Sequence, residues 1–474
     1  MKVENGDYIV AIDLGTNTVV AMIGTKGEDG RIRVIDREVS AVQGAGMIRG
    51  EIKNIDLVSR SIKEAVDAIG ERQGIRITEA YAGISGQHIR SVKQPYYVFA
   101  SRGGEIRQED VRQLHDSMRN VPAPEGEKIL QIIPQNYIVD DEEETANPVG
   151  TFGNKLASTF NIILGDSVAI NRLEMALKRV DIVPLGLFLN AIASAEAVLT
   201  PDEKEEGVAV VDIGAGTTDV VVYQKNIIRH VGIIPMGGNV INKDIRSYGI
   251  LEKHVENLKT RYGEAMRDAA QPDKYITTPG LSAKASKEIS SQNLAAIIEA
   301  RMLDIDFVVE ELKKSGFQDR LAAGVVLTGG GAQLKHVETL FKSYTGMDAR
   351  VAGAESTLDG ESLETAGQPA MATAVGILAR AFDERAQNKT SRSKQQVVRP
   401  AREEKPVTEP ASPVKRKLND FYRSGSRPHE EEGAGLQDDA YEPEYKPKRK
   451  PGLFSKLREK VINMFDEEIE DNEI

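Results

Sequence analysis

Apolar and polar positions along the chain fall into one pattern written twice. Residues 207–222, GVAVVDIGAGTTDVVV, form a β-branched apolar stretch, a glycine- and threonine-rich break opened by Asp212, and a second apolar stretch. Valine-rich flanks around a glycine-rich middle predict a strand, a tight turn and a returning strand. Residues 8–23, YIVAIDLGTNTVVAMI, repeat the arrangement, with Asp13 matching Asp212, Gly15 matching Gly214 and Thr18 matching Thr217. Two such hairpins about 200 residues apart predict two related lobes gripping one ligand.

The intervening pattern predicts the remaining elements. Residues 31–42 continue as strand. In 56–74 the apolar positions 57, 58, 62, 65, 66 and 69 share one helical face, and the helix ends at Gly70 or Gly74. Residues 80–86 read as a buried strand entering a glycine turn. From 86 to 164 the chain changes character: strand at 91–100, a polar helix opened by Arg107, strand at 128–139, an acidic loop from Asp140 to Glu144, and strand near 157–164. That stretch predicts a small α+β insertion, with the acidic loop a solvated turn. Residues 168–199 read as largely helical, with Pro184 opening a hydrophobic helix, LGLFLNAIASAEAVL. Beyond the second hairpin come a strand at 227–234, a Met-Gly-Gly-Asn break, and a helix carrying Lys243 and Asp244. Residues 250–305 are mostly polar helix and turn, closing in a long helix, 290–314, with Ser290 and Ser291 as candidate caps and Arg301 midway. A strand ending at Thr328 meets three glycines, and a helix follows from about Gln333. Residues 368–382 form a helix of small residues.

From Asp383 the composition shifts: eight of the 19 prolines lie in 400–451, and residues 385–427 hold 12 basic against 4 acidic residues. This predicts a disordered, basic-leaning linker. At its end KPKRKPGLFSKLREKVINMF (446–465) is amphipathic. On a helical wheel Leu453, Phe454, Leu457, Val461, Met464 and Phe465 share an arc of about 120°, flanked by Arg458 and Lys460. A basic run followed by such an arc is the form of a helix lying in a membrane surface; docking on the protein's own core or on a partner is the competing reading. The acidic end, 466–474, weakens attachment to anionic lipid.

Composition narrows the function. Of 474 residues 61 are basic and 73 acidic, a net charge of −12, which argues against a protein devoted to nucleic-acid phosphates. There is no cysteine, hence no disulfide framework and no thiol chemistry, and the six histidines lack ligand spacing. No apolar run approaches the roughly 18 residues that span a bilayer, so a soluble, cytoplasmic body is expected. The candidate chemistry sits in the glycine breaks. Gly214 and Gly216 leave the turn's backbone N–H groups uncovered, Thr217 and Thr218 add hydroxyls, and an anion, phosphate above all, suits that spot. Asp212 beside it repels phosphate unless a divalent cation or its waters lie between. An ordinary capped hairpin satisfies the same residues. Gly329, Gly330 and Gly331, between a strand and a helix, admit a flat or anionic ligand to the backbone.

The order of these parts resembles the actin-like ATPase superfamily of actins, sugar kinases and heat-shock chaperones. Within it the chain is similar to the FtsA family of bacterial cell-division proteins, which tether the tubulin-like FtsZ ring to the membrane. The resemblance rests on the insertion after SGQHIRSV (85–92), with its EIRQEDV, IPQNYIVDD and NPVG segments. It rests also on EEGVAVVDIGAGTTDVVVY and AAGVVLTGGGAQL, and on the amphipathic terminus. It implies an α/β, two-lobed actin-like fold partitioned as subdomain 1A (1–85 and 165–206), inserted 1C (86–164), 2A (207–239 and 306–382), 2B (240–305), linker (383–450) and amphipathic helix (451–466).

The resemblance further implies that Gly15, Thr16, Asn17 and Thr18 hold the phosphates of ATP from one lobe, and Gly214, Ala215, Gly216 and Thr217 from the other. Asp13 and Asp212 hold Mg²⁺ through its waters, and Gly329, Gly330 and Gly331 lie against ribose and adenine, with Gly238, Asn239 and Lys243 as further contacts. The implied role is an ATP-binding polymer that recruits FtsZ through 2B, meets other divisome proteins through 1C, and sits peripherally on the cytoplasmic face of the inner membrane at the division site. A small-molecule kinase or a chaperone-like nucleotide switch of the same superfold are the alternatives. A kinase has no use for a tethered lipid helix, and no peptide-binding domain is legible after 382. In hydrolysing relatives the connecting helix supplies a polar residue that positions water. Here only Asn190, Ser194 and Glu196 are polar, so slow or negligible turnover is expected.

Overall fold

The computed structural model describes residues 8–100, 104–280 and 286–397. Two five-stranded sheets dominate, and they share one topology. In the first, Ile9–Leu14 pairs antiparallel with Thr18–Lys26, which pairs antiparallel with Ile32–Ala41; on its other side Ile9–Leu14 runs parallel to Glu79–Ile84, followed by Val183–Leu189. In the second, Val208–Ile213, Thr218–Gln224 and Ile227–Ile234 form the same antiparallel meander, with Val325–Thr328 and Ala349–Val351 added in parallel. The duplicated hairpins thus head duplicated lobes of an actin-like fold. Their valine-rich strands are buried on both faces, as strands flanked by helices require. Helix Ile55–Gln73 covers the first sheet with Val58, Ile62, Ala65, Val66 and Ile69; the Asn54 side chain caps its start and Gly74, at φ 70°, ends it.

The insertion is a three-stranded antiparallel sheet, Ile89–Phe99, Lys155–Asp166 and Glu127–Val139 in spatial order, under the helix Gln108–Arg119. It has a core of its own, in which Ile106, Leu114, Met118, Leu156 and Phe160 are fully enclosed. Each such side chain contributes about 1.5–3 kcal/mol on burial.

Four expectations are corrected. LGLFL is not helical: Val183–Leu189 is a strand at the edge of the first sheet, and the connecting helix is only Asn190–Val198. A short continuous apolar run suits a buried strand as well as a helix, and Pro184 suits an edge strand as well as a first helical turn. The long helix is two, Ser291–Met302 and Ile305–Ser315, broken at Leu303 and Asp304, although Ser290 caps the first as expected. The helix after the three glycines begins at Val337, because Gly330–Gln333 takes a tighter 3₁₀ turn first. Finally, the small-residue helix Ala372–Val397 runs past Asp383, where the linker was expected to start. Leu453, Phe454, Leu457, Arg458, Lys460, Val461, Met464 and Phe465 lie outside the described residues. Among the described residues no helix is long and apolar enough to cross a membrane.

Candidate functional site

In open sheets of this kind ligands gather at the carboxyl ends of the parallel strands. Five such ends converge here: Asp13 from Ile9–Leu14, Ser85 just past Glu79–Ile84, Asn190 just past Val183–Leu189, Asp212 from Val208–Ile213, and Gly329 just past Val325–Thr328. Asn190 Nδ2 donates to Asp13 Oδ1 at 3.1 Å. Asp212 Oδ2 accepts from the Ser194 hydroxyl on the connecting helix and, at 3.2 Å, from Thr373 on the last helix. Ser85 Oγ donates to Asp219, 2.7 Å from Oδ2 and 3.0 Å from Oδ1.

All three carboxyls, Asp13, Asp212 and Asp219, are buried and raised above the ordinary carboxylate range. Burial and the Asp212 charge push Asp13 up to about 7, against the pull of the Asn190 bond. The same two causes push Asp219 to about 7, despite hydrogen bonds from Ser85 and Thr217. Burial pushes Asp212 up as well, tempered by Ser194 and Thr373. A cluster of hard oxygens that cannot all stay charged in isolation is suited to a divalent cation. Among the described residues no three carboxylate or imidazole groups are arranged to grip an ion directly.

The two turns match bond for bond. Gly15 N–H donates to Thr18 O at 2.9 Å, and Gly214 N–H donates to Thr217 O at 2.9 Å. They also face each other. A Cβ on Gly216 would sit 2.8 Å from Thr16 Cγ2 and overlap the Thr16 hydroxyl, so only glycine lets the turns come this close. Asn17 and Asn239 close the same gap with a reciprocal pair of amide bonds, each 2.8 Å. Gly238 and Asn239 open the helix Gly238–Ser247, and their N–H groups donate to Gly214 O (3.0 Å) and Ala215 O (2.8 Å). Both residues therefore hold the second turn in place.

Beside that turn lies a cavity of about 430 Å³, bounded by Gly214, Ala215, Gly237 and Gly238 on one side and by Gly330, Gly331 and Gln333 on the other. Its size suits a nucleoside-sized ligand. Glu256, Lys259, Thr260 and Arg301 supply its polar wall. Lys259 is buried, donating to Gly238 O at 3.2 Å and pairing with Glu256 at 2.9 Å.

Of the residues expected from sequence, Gly214, Ala215, Gly238, Gly330 and Gly331 line this cavity. Thr16, Asn17, Gly216 and Asn239 meet across the cleft, and Asp13 and Asp212 share the carboxylate cluster with Asp219. Gly15, Thr18 and Thr217 complete the two turns. Gly329 packs instead against Asp212 and Ile213 at φ 83°. Lys243 is exposed and does not line the cavity; the buried Lys259, one helix later, does. Sequence reasoning missed Asp219, Ser85, Thr373, Lys259 and the engaged roles of Asn190 and Ser194. Asp219 has no counterpart in the first hairpin, where Val20 occupies the matching place, so the repeat gave no signal for it.

Comparison with known proteins agrees with this architecture. Residues 209–376 match the family Cell division protein FtsA, and residues 86–164 match the SHS2 domain inserted in FtsA. Cell division protein FtsA of Neisseria meningitidis serogroup B is 35% identical over 374 residues, covering 78% of this chain and 89% of the relative. The Pseudomonas aeruginosa protein of the same name is 31% identical over 379 residues (80% and 90%), and that of Escherichia coli K12 is 30% identical over 387 residues (80% and 91%). Among solved structures, the PilM–PilN type IV pilus biogenesis complex aligns with a TM-score of 0.54 at 16% identity, over 78% of this chain and 98% of that one. That likeness bears on the fold alone.

Proposed function

The chain belongs to the FtsA family of cell-division proteins, and from that premise we propose that it is an ATP-binding, actin-like polymer that anchors FtsZ filaments to the cytoplasmic membrane. The observation that carries the nucleotide part is the meeting of two matched Asp-Gly-Thr turns beside a nucleoside-sized cavity. Adenosine occupies the cavity against Gly330 and Gly331, and the phosphates lie toward Gly214–Thr217 and Gly15–Thr18. Asp13 and Asp212, clustered with Asp219, would hold Mg²⁺ through its waters, and the ion would supply the positive charge that lets phosphate and carboxylates share the site. Asn190 and Ser194 are already committed to Asp13 and Asp212, which supports slow turnover.

Residues 1–85 with 165–206, 86–164, 207–239 with 306–382, and 240–305 serve as subdomains 1A, 1C, 2A and 2B. FtsZ meets 2B, other divisome proteins and neighbouring copies meet 1C, and the helix 451–466 lies in the membrane surface. Six apolar side chains at about 1.5 kcal/mol each, reduced by partial insertion and ordering cost, make one helix a marginal anchor. Polymerisation multiplies it through avidity. Pelleting the full chain with liposomes of anionic and neutral lipid, with and without Mg·ATP and FtsZ, tests the whole reading. FtsZ should pellet only when this chain, lipid and Mg·ATP are all present. Carriage of FtsZ that ignores nucleotide, or a failure of the chain to reach lipid, would overturn it.

A further inference from the structure

We propose that the inserted domain is a brace between the lobes, coupling nucleotide occupancy of the cleft to the surface the insertion offers its partners. The proposal rests on the nucleotide reading above. By chain connectivity the insertion belongs to the first lobe: it leaves strand Glu79–Ile84 and returns through Lys155–Asp166 directly into helix Ser167–Lys178. Its polar side chains nevertheless reach the second lobe. Gln135 Nε2 donates to Ile228 O at 2.9 Å, and Asn161 Nδ2 donates to Arg229 O at 3.0 Å. The Arg229 guanidinium returns bonds to Gln135 Oε1 (3.3 Å) and Asn136 Oδ1 (3.1 Å).

The centre of this contact is deeply buried. Arg229 is 4% exposed and Asn161 2%. The other guanidinium bonds go to Gln224 O (3.2 Å) and Gln224 Oε1 (3.5 Å), and its flat face lies 5.2 Å from the Phe317 ring centre. All these acceptors are neutral. Carboxylate support arrives at second remove, since Asn136 donates onward to Glu144 at 2.8 Å. The acidic loop from Asp140 to Glu144 is exposed throughout, the solvated turn expected from sequence, and touches the contact through this one bond. A buried cation held by neutral amides loses heavily if those amides withdraw, so the strand and the insertion move together.

That strand leads to the site. Ile227–Ile234 pairs antiparallel with Thr218–Gln224, with Thr218 opposite Ile234 and Asp219 opposite Ile233. The Thr218 hydroxyl also donates to Met236 O at 2.9 Å. A ligand that shifts or stiffens the turn at 214–217 acts on the strand pair that the brace grips. By linkage, a partner that holds the insertion acts equally on nucleotide affinity.

Hydrogen exchange on the full chain, with and without saturating Mg·ATP, tests this. In wild type, Mg·ATP should slow exchange across 212–218 and, by about 5-fold or more, across the insertion strands at 127–139 and 155–166. In the double variant Gln135→Ala, Asn161→Ala the cleft should still be slowed and the insertion should not. Arg229→Leu is the second arm, because it removes the buried charge together with its bonds and leaves no unpaired cation. A wild-type insertion that ignores Mg·ATP while the cleft responds overturns the brace, as does slowing that survives in both variants. A wild-type cleft that itself ignores Mg·ATP overturns the nucleotide reading and takes the coupling with it.

Discussion

Replacing Asp219 by asparagine should stabilise the protein, and the size of the gain tests the carboxylate cluster directly. Asp219 is 4% exposed, and burial with the Asp212 charge moves it from an ordinary value near 4 to about 7. The folded protein therefore binds this proton more tightly than the unfolded chain does. Stability falls as pH rises from about 4 to about 7, then stays lowered by a constant amount. The full displacement corresponds to about 4 kcal/mol, an upper figure because relaxation and water penetration lower the cost of a buried charge. The asparagine side chain keeps the shape and an oxygen to accept from Ser85 but carries no charge. For a folded body of about 380 residues, losing about 2 cal/mol/K of unfolding entropy each, 4 kcal/mol raises Tm by about 5 °C. Calorimetric melts without divalent cation should show Asp219→Asn above wild type at pH 8, with the gap shrinking to roughly half by pH 5.5. A variant that melts at or below wild type at pH 8, or a gap that does not depend on pH, would refute the reasoning.

Other consequences can be checked with the same preparations. Gly216→Val places a branched side chain into Thr16 and should prise the turns apart, weakening Mg·ATP by about 5- to 150-fold for the 1–3 kcal/mol typical of overpacking; unchanged calorimetric affinity would move the phosphates elsewhere. Gly329→Ala puts a Cβ against Asp212 Oδ1 at φ 83° and ψ 175°, a region that costs other residues about 1–3 kcal/mol. It should lower Tm and nucleotide affinity together. Phe454→Glu with Leu457→Glu puts two charges into the apolar arc of 451–466, each worth up to about 2.5–3.5 kcal/mol. That variant should leave liposomes while keeping wild-type nucleotide affinity; continued pelleting would rule out this helix as the anchor. Steady-state turnover should stay well below the median enzyme value of about 10 s⁻¹, and a rate in that range would contradict the committed roles of Asn190 and Ser194.

What was legible in the sequence was whatever repeated or alternated. The offset linking Asp13 to Asp212 and Gly15 to Gly214 reproduces the same turn bonds in both lobes, because a tight turn is specified by its own few residues. The insertion showed itself by a change of rhythm between 86 and 164, and its separate core explains why that rhythm is independent of its surroundings. The partners of the carboxylates were not legible. Ser85, Ser194 and Thr373 come from three elements that are adjacent only after both sheets form, and no local pattern marks a lone serine as a carboxylate donor. Lys259 was hidden for a related reason. In EKHVENLKTRY it looks like one more surface charge, yet it sits beside Leu258 at the edge of the buried stripe and faces the cavity.

Two of the bonds that cross the cleft end on carboxylates whose burial is itself costly. Asn17 with Asn239 contributes two neutral amide bonds, at about 1 kcal/mol each. Ser85 on Asp219 and Ser194 on Asp212 add charge-assisted bonds of about 1.5–3 kcal/mol each. Together they supply about 5–8 kcal/mol. Keeping Asp13 and Asp219 ionised in the folded protein costs up to about 4 kcal/mol apiece above neutral pH, with the bonds from Asn190, Ser85 and Thr217 already counted. Neutralising one carboxylate relieves part of that cost, and a proton and a divalent cation would act in the same direction. In the proposed nucleotide site, affinity for phosphate should therefore depend on the cation as well as on the turns, since the turns offer N–H groups whereas the carboxylates tolerate phosphate only once their charge is met.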